Sequence, residues 1–496
     1  MPTTDSKVDF EHPAYDRSKM LWKKCRDAIG GEELVKAARD AYLPKLDGMD
    51  DSEYRGYATR AHFYGASGRT VKGLAGLIMR KEAVVSGLPD SAVKSLEEFG
   101  VDGERLSVVA LTALNEVLTT SRVGMLVDSD SEGQRVYVSL YTAESIINWR
   151  TIEIDGIRKP VLVVLHESVE VPDWQDPFVV KIENRYRVLS LEAANPKSGA
   201  DPVVRYVQRV WRKLKADDGR KKEMWEQVGD DVYPVKHGGG AWEEIPFKLA
   251  NDQDVSWDVH KPPLLDLVNT NLSHYRNSAD LEHGLHYTAL PTPYALGFDI
   301  ESGDLKIGPS EAWVSKRDTA KVGLIEFTGA GLGSLRETMR DKESQMAKLG
   351  SKMLEQQQRT VEATETVKMR QAGEHSSLAA TANAVAELLT FAVSWWAQYK
   401  GVQTTNDLKV ELNTDYGVAG LEPSKLTAIM NAYLQETMSF ETMFYLLHKN
   451  ETYPDGWTVE QELASIAQRS AVPATTPTTN TNPEEEDDEQ EDPEND

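Results

Sequence analysis

The chain has 496 residues, a formal net charge of −25, about 40% hydrophobic residues and a single cysteine, Cys25. This composition describes a folded protein of more than one domain, and the lone cysteine excludes an internal disulfide or a Cys-based metal site, as in a chain that matures in a reducing cytosol. Neither a run of roughly 18 unbroken apolar residues nor an N-terminal apolar signal core is present, so no membrane span or secretory signal is expected, and an acidic body argues against ordinary nucleic-acid binding through Lys and Arg.

Residues 1–120 read as helical. Asp51 opens a capped segment in which Tyr54, Tyr57, Ala61 and Tyr64 recur at the helical period. Val71, Leu74, Ala75, Leu77 and Ile78 form a second amphipathic run, and 104–120 a third, ended by Gly124. From 123 to 260 the pattern changes to short runs rich in β-branched and aromatic residues, at 123–128, 135–141, 161–166, 185–191 and 203–211. Turn formers such as Asp155-Gly156, Asn195-Pro196 and Asp218-Gly219 separate them, which predicts an antiparallel sheet.

Helix returns at 264–285, with Leu264, Val268, Leu272, Tyr275 and Ala279 on one face. A compact β-like insert follows at 287–330, with strands at 294–298 and 322–327. In the next helix, to about 357, Leu332, Leu335, Met339, Met346, Leu349 and Met353 keep heptad spacing, and Lys342 fills the missing place. A stripe this narrow suits a helix packed side by side with other helices, those of other subunits included, better than one inside a globular core. Residues 358–372 lack an apolar stripe. An alanine-rich helix at 374–399, a strand at 408–412 and short helices at about 423–449 and 458–469 complete the folded part. Residues 471–482 are uncharged and Pro/Thr-rich, and 484–496 hold ten acids and no base, so this tail is expected to stay disordered.

Several motifs resemble catalytic or cofactor sites and fall short of them. Gly329-Ala330-Gly331-Leu332-Gly333 follows a strand and precedes a helix, but its third glycine comes one residue early, and continuous helix replaces the second strand a dinucleotide site requires. A tight turn into the helix is the plainer reading. His274, His283 and His286 lack the i,i+4 spacing of helical metal ligands. Gly65-Ala66-Ser67-Gly68 is not a nucleophile elbow, and no phosphate-binding GxxxxGK[ST] loop occurs, so a chain that works on DNA is not expected to be the ATP-driven motor. On the long helix, Arg336, Arg340, Lys348 and Lys352 form a row interleaved with Glu337, Asp341 and Glu343, which reads as a solvated mixed-charge surface.

Residues 42–80, containing YATRAHFYGASGRTVKGLAGLIMR, together with 322–350, 370–389 and 437–466, resemble tailed-bacteriophage portal proteins in content and order. The resemblance implies an α+β portal fold: wing at 1–260 (its β-rich part 123–260), first stem helix at 261–286, clip at 287–330 and second stem helix at 331–357. A tunnel loop at 358–372, a wing-crossing helix and strand at 373–420, a crown at 421–470 and the acidic tail at 471–496 complete that layout. It further implies a non-enzymatic virion protein without cofactor or metal, assembled in the host cytoplasm into a homo-oligomeric ring of about twelve subunits at one capsid vertex. Such a ring is a channel for genome packaging and ejection. Its partners are the terminase large subunit, a head–tail adaptor, the major capsid and scaffolding proteins, and double-stranded DNA passing without sequence specificity; no membrane is involved. Arg359, Lys368 and Arg370 are the expected channel contacts, set among Glu362 and Glu365, and Trp313 and Phe298 the expected docking anchors in the clip. An acidic chain fits a conduit, because a strongly basic bore would hold DNA by counterion release.

Overall fold

In a computed structural model, described at residues 7–130, 135–173, 176, 178–194, 203–214, 224–289, 292–298, 313–315, 317–325, 329–354, 376–416, 423–435, 437–449 and 458–470, the chain divides into units Met1–Tyr416 and Gly417–Asp496. The architecture is mixed α and β, as the alternating periodicities require. In the first unit α1 (Pro13–Gly30), α2 (Glu32–Ala37), α3 (Asp51–Arg60), α4 (Ala66–Ile78), α5 (Asp90–Ser95) and α6 (Leu106–Thr120) precede the sheets. Asp50 caps α3 in a capping box: its carboxylate accepts from the Ser52 and Glu53 amides, and Glu53 reaches back to the Asp50 amide. Ser121, at φ +58, ends α6 in the left-handed region three residues before the expected Gly124.

The β-rich region holds two antiparallel sheets rather than one. β2 (Val123–Ser129) lies between β3 (Val136–Thr142) and β9 (Phe247–Ala250). The second sheet runs in sequence order through β4 (Ile146–Ile154), β5 (Ile157–Pro172), β6 (Val180–Ala194), β7 (Val203–Leu214) and β8 (Met224–Gln227). β5 and β6 far exceed the apolar runs that announced them, because their outer halves carry alternating polar residues that pair without being buried. β1 (Val84–Ser86), which has no sequence signature, pairs with β12 (Lys409–Glu411).

α9 (Ser377–Lys400) packs against α6 and the three-stranded sheet. The Ser376 hydroxyl accepts from the Ala379 amide at its start, and Gly401, at φ +69, ends it. α9 is long and apolar enough to cross a bilayer, yet Leu378, Val385, Leu389, Val393 and Trp396 are buried in the core. Trp242, Trp395 and Tyr399 form an aromatic cluster beside it, with Trp242 lying 4.6 and 4.8 Å from the other two rings.

α7 (Leu265–Ala289) begins after Pro262-Pro263 and runs past the expected end at 286, since no further proline intervenes before Pro291. Leu265, Val268, Leu272, Tyr275 and Ala279 pack with Tyr54, Tyr57 and Phe63 in a second core cluster. Asn271 joins α7 to α4. α4 has no side-chain cap of its own; instead the Asn271 amide oxygen accepts the Ser67 amide (3.1 Å) and hydroxyl (2.9 Å), and its NH2 donates to the Tyr64 carbonyl (2.7 Å). Gly68 is needed in the same place, because a methyl there would lie 2.6 Å from the Ile29 carbonyl oxygen of α1.

In the second unit α10 (Pro423–Leu434) packs on α11 (Phe440–Lys449), with Tyr433 edge-on to Phe440, and α12 (Val459–Ser470) follows.

Arg122, between α6 and β2, is 1% exposed. Its Nε and Nη2 have no hydrogen-bond partner among the described residues. The guanidinium lies 4.2 Å from the centroid of Trp149, a ring that also stacks on His12 at 4.0 Å, and burial pushes its pKa down to about 9. A desolvated cation–π contact contributes roughly 2 kcal/mol, less than the several kcal/mol that burying an ion costs. Arg122→Met is therefore predicted to stabilise the fold by about 1–3 kcal/mol in urea unfolding; a loss of stability would show that the cation–π contact outweighs burial. Asn271→Ala is predicted to destabilise by about 3 kcal/mol in the same assay, since it leaves buried donors and an acceptor unmet; an unchanged midpoint would show that water replaces the amide.

Candidate functional site

The region beyond the core begins where α7 leaves it. Leu281 is the last buried residue of α7, and from His286 to Ala289 the helix is exposed. α8 (Leu332–Ser351), followed by a single 3-10 turn (Lys352–Leu354), returns along it. Gly284 faces Leu332, Ser273 meets Lys342, and Leu267 lies beside Gly350, so the two helices are antiparallel. A methyl at Gly284 would stand 2.6 Å from Leu332 Cδ2, so the small residue allows the close approach.

The heptad stripe is the packed side of α8, but it is thinly covered. Met346 and, in the following turn, Met353 are buried; Leu332, Leu335, Met339, Lys342 and Leu349 are half-buried. The middle of the seam is polar. Lys342 Nζ donates to Ser273 Oγ (2.8 Å), and burial lowers its pKa, with Arg276 adding to the effect. His274 Nε2 lies 3.3 Å from Glu343 Oε1, while its buried Nδ1 lacks a partner among the described residues. Burial lowers the His274 pKa and Glu343 opposes the shift. A central polar layer fixes helix register at some expense of stability.

Between the helices lies a ribbon of two strands, β10 (Thr292–Leu296) and β11 (Lys321–Ile325). Pro293 pairs with Leu324 and Ala295 with Val322, while Thr292, Tyr294 and Leu296 oppose Ile325, Gly323 and Lys321. Val322 and Leu324 thus share one face, and Tyr294, Leu296 and Ile325 the other. Both faces are apolar and both are exposed: Val322 and Leu324 are each 54% accessible, Leu296 57% and Ile325 60%. Among the described residues β10 and β11 pair with each other alone, leaving both ribbon edges open.

Trp313 and Phe298 are half-buried in this insert. Arg359, Lys368 and Arg370, with the whole of 358–372, lie outside the described residues. The glycine motif is a turn: Gly329 takes φ +62, its carbonyl accepts from the Leu332 amide, and Gly331 and Gly333 are unstrained. The three histidines separate, with His274 at the helix seam, His283 beside Arg60 and Tyr57, and His286 exposed. Among the described residues no group of three His, Cys, Asp or Glu side chains comes together as a metal site. Ser67 is buried against Asn271. Aromatic content pointed to Trp313 and Phe298; the aliphatic residues of β11 carry more of the exposed apolar surface, and apolar alternation on both faces was their available signal.

A family described as a domain of unknown function (DUF4055) matches residues 263–400, the span from the start of α7 to the end of α9. No curated protein matches the chain. Among solved structures, a chain in the neck of an empty gene transfer agent particle computed with C6 symmetry aligns at 11% identity and TM-score 0.35, covering 77% of this chain and 90% of that one. A chain from the virion of a native gene transfer agent particle aligns at 12% and 0.32, covering 84% and 98%. One from the neck of a native particle computed with C12 symmetry aligns at 14% and 0.34, covering 78% and 90%.

Lys342→Met would restore the apolar stripe between Met339 and Met346. It is predicted to raise stability by about 1 kcal/mol, because a half-buried ammonium is removed and only its contacts with Ser273, to the hydroxyl and more weakly to the carbonyl, are lost. A lower melting temperature would mean that the lysine–serine contact outweighs its desolvation.

Proposed function

We propose that the chain is a portal subunit: a non-catalytic structural protein that closes into a ring at one capsid vertex and passes double-stranded DNA during packaging and ejection. The observation that carries this reading is the ribbon between α7 and α8, apolar on both faces and, among the described residues, open at both edges. A two-stranded ribbon is at best marginally stable alone, and each large aliphatic side chain left in water forgoes about 1.5–3 kcal/mol of burial. A thinly covered α8 makes the same demand along its length. Side-by-side copies related by a closing rotation meet both demands, since each copy then offers the next a complementary flank.

In this reading α7 and α8 are the stem and the ribbon belongs to the clip, where Trp313 and Phe298 contribute to docking of the motor and then the tail connector. The acidic remainder keeps DNA from adhering to the walls.

Negative-stain images of the purified protein test the proposal: rings with a central hole are expected, and a monomer that binds a nucleotide would overturn it. The paired substitution Val322→Asp and Leu324→Asp is predicted to abolish rings while leaving the subunit's stability within about 0.5 kcal/mol, because both side chains are exposed in the single chain. Intact rings from that variant would remove the ribbon from the assembly contact.

A further inference from the structure

We infer that the solvent side of α4 and the C-terminal turns of α8 form a basic surface that takes the phosphate backbone of duplex nucleic acid; the site deepens the portal reading and rests on it.

The sequence carries the first part of the case. Residues 54–81 contain six Lys or Arg and no Asp or Glu, in a chain of net charge −25. Residues 344–354 contain Lys348 and Lys352 and again no acid. The fold brings these two acid-free segments together: α4 contacts α8, and a methyl built at Gly350 would lie 3.2 Å from Thr70 Cγ2.

Exposure and pairing supply the second part. Val71, Leu74, Ala75 and Ile78 turn into the core, so Arg69, Lys72, Gly73 and Gly76 share the opposite, exposed side of α4, apart from Gly68 at its flank. Lys348 on α8 and Lys352 in the following 3-10 turn are exposed. No ion pair holds any of these four cations among the described residues, unlike several surface cations elsewhere that sit against acids, as in Arg105–Glu97, Arg158–Asp258, Lys159–Glu244 and Lys261–Asp266. Arg69 is held in place by Tyr64, its guanidinium carbon 4.5 Å from the ring centroid.

The character of the surface selects the ligand. Protein hot spots are built on aromatic and aliphatic anchors, and this side of α4 presents charge and bare backbone instead. Gly73 and Gly76 have nothing within 4 Å of a built Cβ, so no packing among the described residues explains glycine at these helical positions. Their effect is to let a phosphate strand approach the helix closely between cations. Contacts of this kind carry no base readout, as a surface over which DNA moves requires. At moderate salt the repulsion of the acidic body is screened within about 10 Å, and the local cations govern contact.

The test is fluorescence anisotropy of a labelled random-sequence duplex with the full-length protein, between roughly 50 and 200 mM salt. Wild-type binding is expected to be weak and to fall with salt. Arg69→Ala, Lys72→Ala, Lys348→Ala and Lys352→Ala combined should flatten the slope of log K against log salt by about three to four units, at about 0.9 per phosphate contact. A control with the same charge change, Arg105→Ala, Arg158→Ala, Lys159→Ala and Lys261→Ala combined, should keep the wild-type slope. Equal losses in both variants, or competition by polyglutamate as effective as by unlabelled duplex, would overturn the inference. Ring images of the same preparations separate the two claims. If rings form and binding ignores the four substitutions, the surface is refuted and the portal reading stands. If no rings form while binding follows the substitutions, the surface stands and the portal reading falls.

Discussion

The outer half of α7, the β10–β11 ribbon and α8 depend on the burial of the first turns of α7. That stretch of helix is held by an apolar cluster with α1 and α3 and by the Asn271 amide, which completes the uncapped start of α4. Because the stretch is fixed, the same helix can continue past Leu281 into solvent and carry a ribbon and a returning helix that bury little of their own surface. One continuous hydrogen-bonded ladder thus serves as core element and as strut.

The outlying half is built on different terms. Apolar burial holds α7 in the core, but a polar pair of contacts, Lys342 with Ser273 and His274 with Glu343, holds the centre of the α7–α8 seam. Polar contacts set register more strictly than they stabilise, and methionines at 339 and 346 flank them with adaptable packing. The ribbon faces and the outer side of α8 are exposed in the single chain. The surfaces that stabilise the fold are thus distinct from those it leaves in water.

Charge is divided in a similar way. The net charge of −25 is spread over the body and concentrated in the ten acids of 484–496. Two acid-free segments from distant parts of the sequence meet at the contact of α4 with α8. A sum over the chain therefore describes long-range repulsion, while contact at a given surface follows the few charges within a screening length.

Periodicity makes much of the fold legible in the residues themselves. The capped start at Asp50–Asp51, the apolar face of α7, the heptad side of α8, the alanine-rich α9 and several strands follow from local patterns that burial on one face imposes. β1, β4 and β9, the division into two sheets and the outer halves of β5 and β6 were not legible, because such strands are specified by pairing with partners distant in sequence. The same limit applies to the site. The sequence alone determined that Lys342 interrupts an apolar stripe and that strand-like runs lie between the two helices, where β10 and β11 are found. Tertiary structure decided that Ser273 receives Lys342, that Ser67 is a buried partner of Asn271, and that both faces of the ribbon stay in water. Each of these depends on which surfaces meet across many intervening residues, information that no local run of side chains contains.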